Sequence, residues 1–354
     1  MLNKFNEIKK IVKNANPEAT SYVVLEITKI VYQAENNTTK KEVEEFLDSL
    51  TGFEKWVFDS FPTYQGCLYF AGSPIDAGQD KGTWISVKDS TGDMFPELSK
   101  KNSGNYVLNP GDFNSLSIEF FLKLPQKENK NQVIIQKNSE KDMGFTLFLK
   151  ETTSIDYVDL VFCVSSGSIS RNSVEFQIKK NKVNHISVCL DKETERENSL
   201  KIYVNGLTEK SKFNNNISKL NIDSSPLLIG SGSSFYCNDT LILPRQTLEG
   251  YMDELRIFHS IRNDSQTNFF SSRGLYSSPE LKLYYRFNEP PGPLTINNIA
   301  AIESIVLDSS GNSLHSVIKN FSSGLRKDSS IFMEGILKNE KEIFKKILFP
   351  AHEN

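Results

Sequence analysis

The spacing of hydrophobic positions changes near residue 62. Before it, apolar residues recur at helical intervals: Phe5, Ile8 and Val12, then Val23, Ile27, Ile30 and Ala34, then Val43, Phe46, Leu47 and Leu50. The start signals agree with this spacing. Asn16-Pro17 sets a capping residue before a proline at the first helical position. Thr39 with Glu42 three residues on forms a capping box, and Thr51-Gly52 ends the stretch. The pattern predicts a helical segment over 1–62, fitting either a self-contained cap or a docking module for another subunit.

Beyond that point the period becomes two. Short alternating runs follow one another, among them Cys67–Ala71, Trp84–Lys88, Ser115–Leu124, Gln132–Lys137, Phe145–Lys150, Val158–Val164, Val183–Asp191, Leu200–Asn205 and Gly250–His259. Polar, Gly- or Asn-rich turns separate them, as in a β-sandwich or jelly roll. Asn205-Gly206 is the strongest turn signal, because a type I′ hairpin needs positive φ at both central positions. Residues 263–271 predict one short helix, Leu281–Asn288 another strand, and Ile336–Leu348 a last helix stopped by Pro350. Ser231–Tyr236 is expected as a polar loop.

Composition then narrows the class. The chain has 354 residues, 38% hydrophobic and 24% charged, with a formal net charge of −3. Near balance argues against nucleic acid as a partner, and no apolar stretch is long enough for membrane insertion. The segment 1–60 holds eight basic and ten acidic residues, so it is no basic arm. Cys67, Cys163, Cys189 and Cys237 form no C-x-x-C pair and read as reduced core thiols.

Three segments carry a family likeness. SLSIEFFLKL (115–124), HISVCLDKETERENSLKIYVNG (185–206) and LEGYMDELRIFHSIRNDSQTNFF (248–270) resemble, in this order, strands of laminin G-like, concanavalin A-like lectin-glucanase jelly rolls. The third is the most specific: Gly250, Asp253, Glu254 and Arg256 in a Gly-x-x-Asp-Glu-x-Arg strand followed by a short helix. Asn205 and Gly206 close the second. Asn184-His185 stands where the family usually has Trp. The resemblance implies a mainly β, antiparallel two-sheet sandwich over 63–290, between the helical segment 1–62 and a mixed C-terminal extension, 291–354.

That extension echoes the opening of the sandwich: SIVLDSSGNS (304–313) resembles WISVKDSTGD (84–93). It fits either the start of a second similar domain in a longer tandem protein or strands added back to the one sandwich. The pattern slightly favours the first.

Candidate chemistry is sparse. Glycosidases of this fold carry an E-x-D-x-x-E strand with both carboxylates on one face, and no such run exists here. Asp253 and Glu254 are adjacent in a strand and should point to opposite faces. Arg256 shares a face with Glu254, which predicts a structural ion pair. The four histidines make no metal-ligand spacing, and no phosphate-binding glycine loop or nucleophile elbow occurs. No enzyme activity is expected. Calcium is a frequent companion of the family, and Asp89, Asp93 and Asp142 stand in turns that could supply oxygens, although turn chemistry explains them equally. Candidate glycan contacts are Tyr64, Phe235, Tyr236 and Asn238, aromatic and amide side chains expected on loops.

The resemblance and the Asn/Lys/Ile/Ser bias together suggest a structural or interaction protein of a bacteriophage or large-virus virion: a capsid, neck or tail component. It would be made in a host cytoplasm and bind other virion proteins through its N-terminal helices. The alternative is a glycan-binding adhesion module at the virion or cell surface. A third is a divergent glycoside hydrolase.

Overall fold

A computed structural model describes residues 66–75, 81–88, 107–111, 114–139, 143–167, 170–192, 198–213, 220, 222, 225–263, 266–267, 275, 278–287, 289, 294–296, 299–301, 304–312 and 314–328. The helical segment expected over 1–62 and the helix expected over 336–348 lie outside these residues.

The chain opens with β1 (Gly66–Phe70), β2 (Trp84–Val87), β3 (Leu116–Lys123), β4 (Gln132–Asn138), β5 (Met143–Leu149), β6 (Tyr157–Ser166) and β7 (Arg171–Lys179). It continues with β8 (Val183–Asp191), β9 (Asn198–Val204), β10 (Leu207–Phe213), β11 (Leu227–Ile229), β12 (Phe235–Cys237), β13 (Thr240–Ile242) and β14 (Gln246–Thr247). The last elements are β15 (Gly250–Phe258), β16 (Leu281–Tyr285), β17 (Leu294–Ile296), β18 (Ile299–Ala301), β19 (Ile305–Val306), β20 (Ser316–Lys319) and β21 (Arg326–Asp328).

Two large sheets hold most of them. The first runs β10-β9-β8-β3-β15-β1-β21, with β16 also pairing β15. The second runs β19-β20-β2-β11-β4-β5-β6-β7, with β14 beside β4. Apart from the short parallel β14–β4 contact, the pairs are antiparallel. This is the mainly β sandwich the alternation implied.

Period-two patterning assigns the faces. Leu116, Ile118, Phe120 and Leu122 on β3, with Ile186, Val188 and Leu190 on β8, turn inward from the first sheet. Phe145, Leu147 and Leu149 on β5, with Leu160, Phe162 and Val164 on β6, meet them from the second. Each such buried side chain contributes about 1.5–3 kcal/mol, so a one-residue slip in any central strand would be heavily penalised. At the β9–β10 turn, Asn205 (φ 49°) and Gly206 (φ 93°) both have positive φ. The Asn205 side chain ties the turn to β8 by accepting the His185 N–H at 2.8 Å.

The described strands β20 and β21 of the extension join the same sandwich. β20 pairs β2, β21 pairs β1, and Val306, Leu314, Ile318 and Leu325 enter the common core. The physical reason is burial. These few apolar positions cannot enclose one another, but they complete both sheets. Glu289 fastens the extension, taking the Leu307 N–H at 2.7 Å and Arg326 Nη1 at 2.7 Å. Asp308 anchors the echo itself, accepting from the backbone N–H groups of Tyr284, Ser310 and Leu314.

Candidate functional site

The outer faces of the two sheets differ in chemistry. On the first sheet, β3, β8, β15 and β16 bring charged side chains together out of water. Arg256 is fully buried and bridges two carboxylates, with Nη1 2.9 Å from Glu119 Oε1 and Nη2 2.7 Å from Glu254 Oε2. Arg286 lies 3.4 Å from Glu254 Oε1, Arg262 3.6 Å from Glu119 Oε2, and His185 3.6 Å from Glu119 Oε1. The Tyr284 hydroxyl donates to Glu254, and the Arg256 guanidinium sits 5.1 Å from the Tyr284 ring centroid.

A bulge makes this possible. Register shifts between Asp253 and Arg256 where β15 pairs β3, and Glu254 adopts φ 52°. The bulge falls where the other neighbour of β15 changes from β1 to β16. It re-aims side chains that strict alternation would set on opposite faces. Asp253 Oδ1 thus accepts the Glu254 N–H at 2.8 Å, and both residues are buried. Gly250 opens β15 because a Cβ there would lie 2.8 Å from the Lys123 carbonyl oxygen.

Electrostatics fix the protonation states. Burial alone would raise the Glu119 carboxyl, but the neighbouring His185 imidazole and the charges of Arg256 and Arg262 outweigh it and hold it below the usual range. Burial also works against the Arg256 charge, yet Tyr284, Glu254 and Glu119 hold it more firmly protonated than in water. Asp253 goes the other way: burial, then the charge of Glu254, raise it well above the ordinary carboxyl. Glu119 and Glu254 share the Arg256 guanidinium, each has a further arginine beside it, and both are buried. An ionised, buried Glu119 has neither the proton nor the access of a general acid.

The outer face of the second sheet is apolar and lies under the β12–β13 hairpin. Phe235 and Cys237 point down onto Val133, Phe148, Val161 and Cys163. The Phe235 and Phe148 rings meet at 5.0 Å, nearly edge to face. Tyr236, between them, points outward at 38% exposure and pairs across the hairpin with Leu241. The Arg171 guanidinium lies 4.3 Å from the Tyr236 ring centroid. Asn238, at the turn with φ 52°, donates from Nδ2 to Ser173 Oγ at 3.0 Å.

The four expected glycan contacts therefore separate. Tyr64 lies outside the described residues. Phe235 is corrected: the expected polar loop is a strand, and alternation turns this ring into the core. Tyr236 and Asn238 come together on the exposed side. Leu241, Leu243, Arg171 and Ser173 join them, unannounced by the sequence reading. The odd-even pattern of Phe235-Tyr236-Cys237, apolar on both sides of a Tyr, was the signal available for an outward ring.

Among the described residues no group of three or more His, Cys, Asp or Glu side chains could hold a metal ion. Asp89, Asp93 and Asp142, whose turns could supply calcium oxygens, lie outside them. So does the segment proposed to dock onto a virion, a role that finds no support in the described residues.

Residues 99–267 match the family model described as the concanavalin A-like lectin/glucanases superfamily. No curated protein matches. Among solved structures the chain is similar to a candidate carbohydrate-binding protein from Bacteroides ovatus, at 18% identity and a TM-score of 0.46, over 75% of this chain and 60% of that one. It thus spans 60% of the length of that relative. It is also similar to a heptameric pentraxin from Limulus polyphemus (12% identity, TM-score 0.38, 59% of this chain and 82% of that one). A third is the carbohydrate-binding module of a Ruminococcus gnavus sialidase, bound to α2,3-sialyllactose (12% identity, TM-score 0.34, 57% and 96%).

Proposed function

We propose that this laminin G-like, concanavalin A-like sandwich is a non-catalytic carbohydrate-binding module that meets its glycan on the outer face of the β12–β13 hairpin. One observation carries the reading. Six large apolar side chains are exposed among the described residues, and three of them, Tyr236, Leu241 and Leu243, lie on or just after this hairpin. Clustered apolar exposure marks contact surfaces. A tyrosine gives a pyranose a flat apolar face while its hydroxyl stays in water. Asn238, Ser173 and Arg171 around it supply the few polar groups that orient a sugar. The sealed state of Glu119 and Glu254 supports binding without turnover.

The test is a glycan array probed with the full chain, followed by calorimetry on the strongest hit. Tyr236→Ala should weaken binding at least about tenfold, a loss of about 1.4 kcal/mol, while Leu207→Ser, at an exposed apolar position in the first sheet, should leave it unchanged. Absence of any bound glycan, or equal binding by Tyr236→Ala, overturns the reading. Release of shorter sugars from the bound glycan overturns the non-catalytic part.

A further inference from the structure

Cys163 on β6 and Cys237 on β12 are 74 positions apart in sequence, yet the hairpin brings both to the outer face of the second sheet. Alternation sends Cys163 outward from the second sheet and Cys237 inward from the hairpin, into one apolar cluster with Phe148 and Phe235. The two thiols lie close enough to shift each other's titration, Cys163 upward and Cys237 downward. Cys163 Sγ also donates to the carbonyl of Tyr236, the residue before Cys237, at 3.6 Å. A narrow cleft lined by Asn138, Thr146, Ser165 and Tyr236 reaches Cys163. Both cysteines are reduced in the structure.

We propose that Cys163 and Cys237 form a redox-responsive pair that closes into a disulfide in the presence of a peroxide and locks the hairpin onto the second sheet. Cys237 reacts first. Its exposure, 9% against 3% for Cys163, is the greater. The neighbouring Cys163 thiol, with Ser173 and Lys150, outweighs burial and favours its thiolate, while Cys237 and burial keep Cys163 protonated. The Cys237 thiolate attacks one peroxide oxygen. The S–O bond forms, the O–O bond breaks, and the second oxygen leaves as water after protonation. Cys163 sulfur then attacks the sulfenic sulfur. The S–S bond forms, and the departing hydroxide takes the Cys163 proton and leaves as water. In sum, two thiols and one peroxide give one disulfide and two waters. The cross-link encloses a long stretch of chain, so it restricts the unfolded state more than the folded one. It stands whether or not the hairpin binds a glycan.

The test uses the full chain. After hydrogen peroxide, catalase and denaturation, N-ethylmaleimide should label two thiols rather than four, and dithiothreitol should restore four. A non-reducing peptide map should show the Cys163–Cys237 cross-link, and the oxidised protein should melt several degrees higher than the reduced one. Four labelled thiols, a cross-link through Cys67 or Cys189, or sulfinic acid on Cys237 without a cross-link would each overturn the pair. A cross-link with no rise in melting temperature overturns the locking of the hairpin. The wild-type chain decides the matter by itself, and Cys163→Ser should leave Cys237 uncross-linked.

Discussion

The outer faces of the two sheets solve opposite problems. On the first, Arg256 and its carboxylates are shut away from water, so the charges must satisfy one another. On the second, the hairpin covers an apolar floor with Phe235 and turns Tyr236 to solvent. The contrast teaches where contact with a partner can happen. A residue family usually associated with sites, buried Glu and Arg, here holds the fold together. The unremarkable aliphatic and aromatic residues of a short hairpin form the available surface.

The largest way to break this contrast is Arg256→Met. Removing the guanidinium strands Glu119 and Glu254 in a site with almost no solvent, and breaking a buried pair from one side costs about 3–5 kcal/mol. Urea unfolding should show that loss, or the variant should fail to fold. Arg256→Lys should recover only part of it, because an ammonium cannot hold both carboxylates in a fork. A cost below about 1 kcal/mol for the methionine variant would mean the network is not structural, and its carboxylates would need a functional explanation.

The closed chemistry of the first region recurs in the C-terminal extension, and pH exposes it there. His315 Nδ1 accepts the Asp308 N–H at 3.0 Å, and burial pushes the imidazole down to about 4. With the folded pKa below the unfolded one, the unfolded chain binds the proton first as pH falls. Stability present above about 6.5 is therefore lost progressively down to about pH 4, by roughly 3 kcal/mol from this group. His315→Asn keeps an acceptor for the Asp308 N–H and removes the titration. Unfolding free energies of the two proteins should converge as pH drops through that window. An unchanged gap would show that His315 is as easily protonated folded as unfolded.

Phe235→Ala comes next and probes the other face. It removes the ring that packs on Phe148, at an expected cost of about 2–3 kcal/mol, toward or below the low end of aromatic truncations because the hairpin can settle onto the floor. Hydrogen exchange should rise most in β12 and β13, since local opening precedes global unfolding. Uniform exchange over both sheets would mean the hairpin is integral to the core, not a flap laid over it.

The sandwich was legible because its strands alternate cleanly. Ile186, Val188 and Leu190 are apolar at every second position, and Asn205-Gly206 announces its own turn. Glu254 and Arg256 also disclosed their pairing, two residues apart on a strand. The rest needed tertiary information. A bulge at Asp253–Glu254 leaves no mark in periodicity, so the convergence of Arg286, Tyr284 and Glu119 on one cluster was hidden. Nothing local tells that Cys163 faces Cys237, since no short spacing joins them. The echo in the extension is ambiguous for a physical reason. A strand motif looks the same whether it begins a new sandwich or completes an old one, and only its pairing with β1 and β2 decides. Within the candidate site, Tyr236 and Asn238 could be read as exposed polar-loop residues, but Phe235 could not be told from its neighbour until the strand phase was known.

The smallest expected effect is also the sharpest test of openness. Leu241 is 48% exposed, opposite Tyr236 on the outward side of the hairpin. If that side faces water, Leu241→Ser forfeits only a cross-strand contact worth a few tenths of a kcal/mol and should stay within about 0.5 kcal/mol of wild type. The same change should lower any self-association, read as sedimentation over a range of protein concentrations, because it dilutes the apolar cluster. A cost above about 2 kcal/mol would require Leu241 to be packed under something in solution, a second copy or another part of the chain. A cost that grew with protein concentration would identify the second copy. In either case the two outer faces would be equally closed, and the glycan would have to be sought elsewhere on the sandwich.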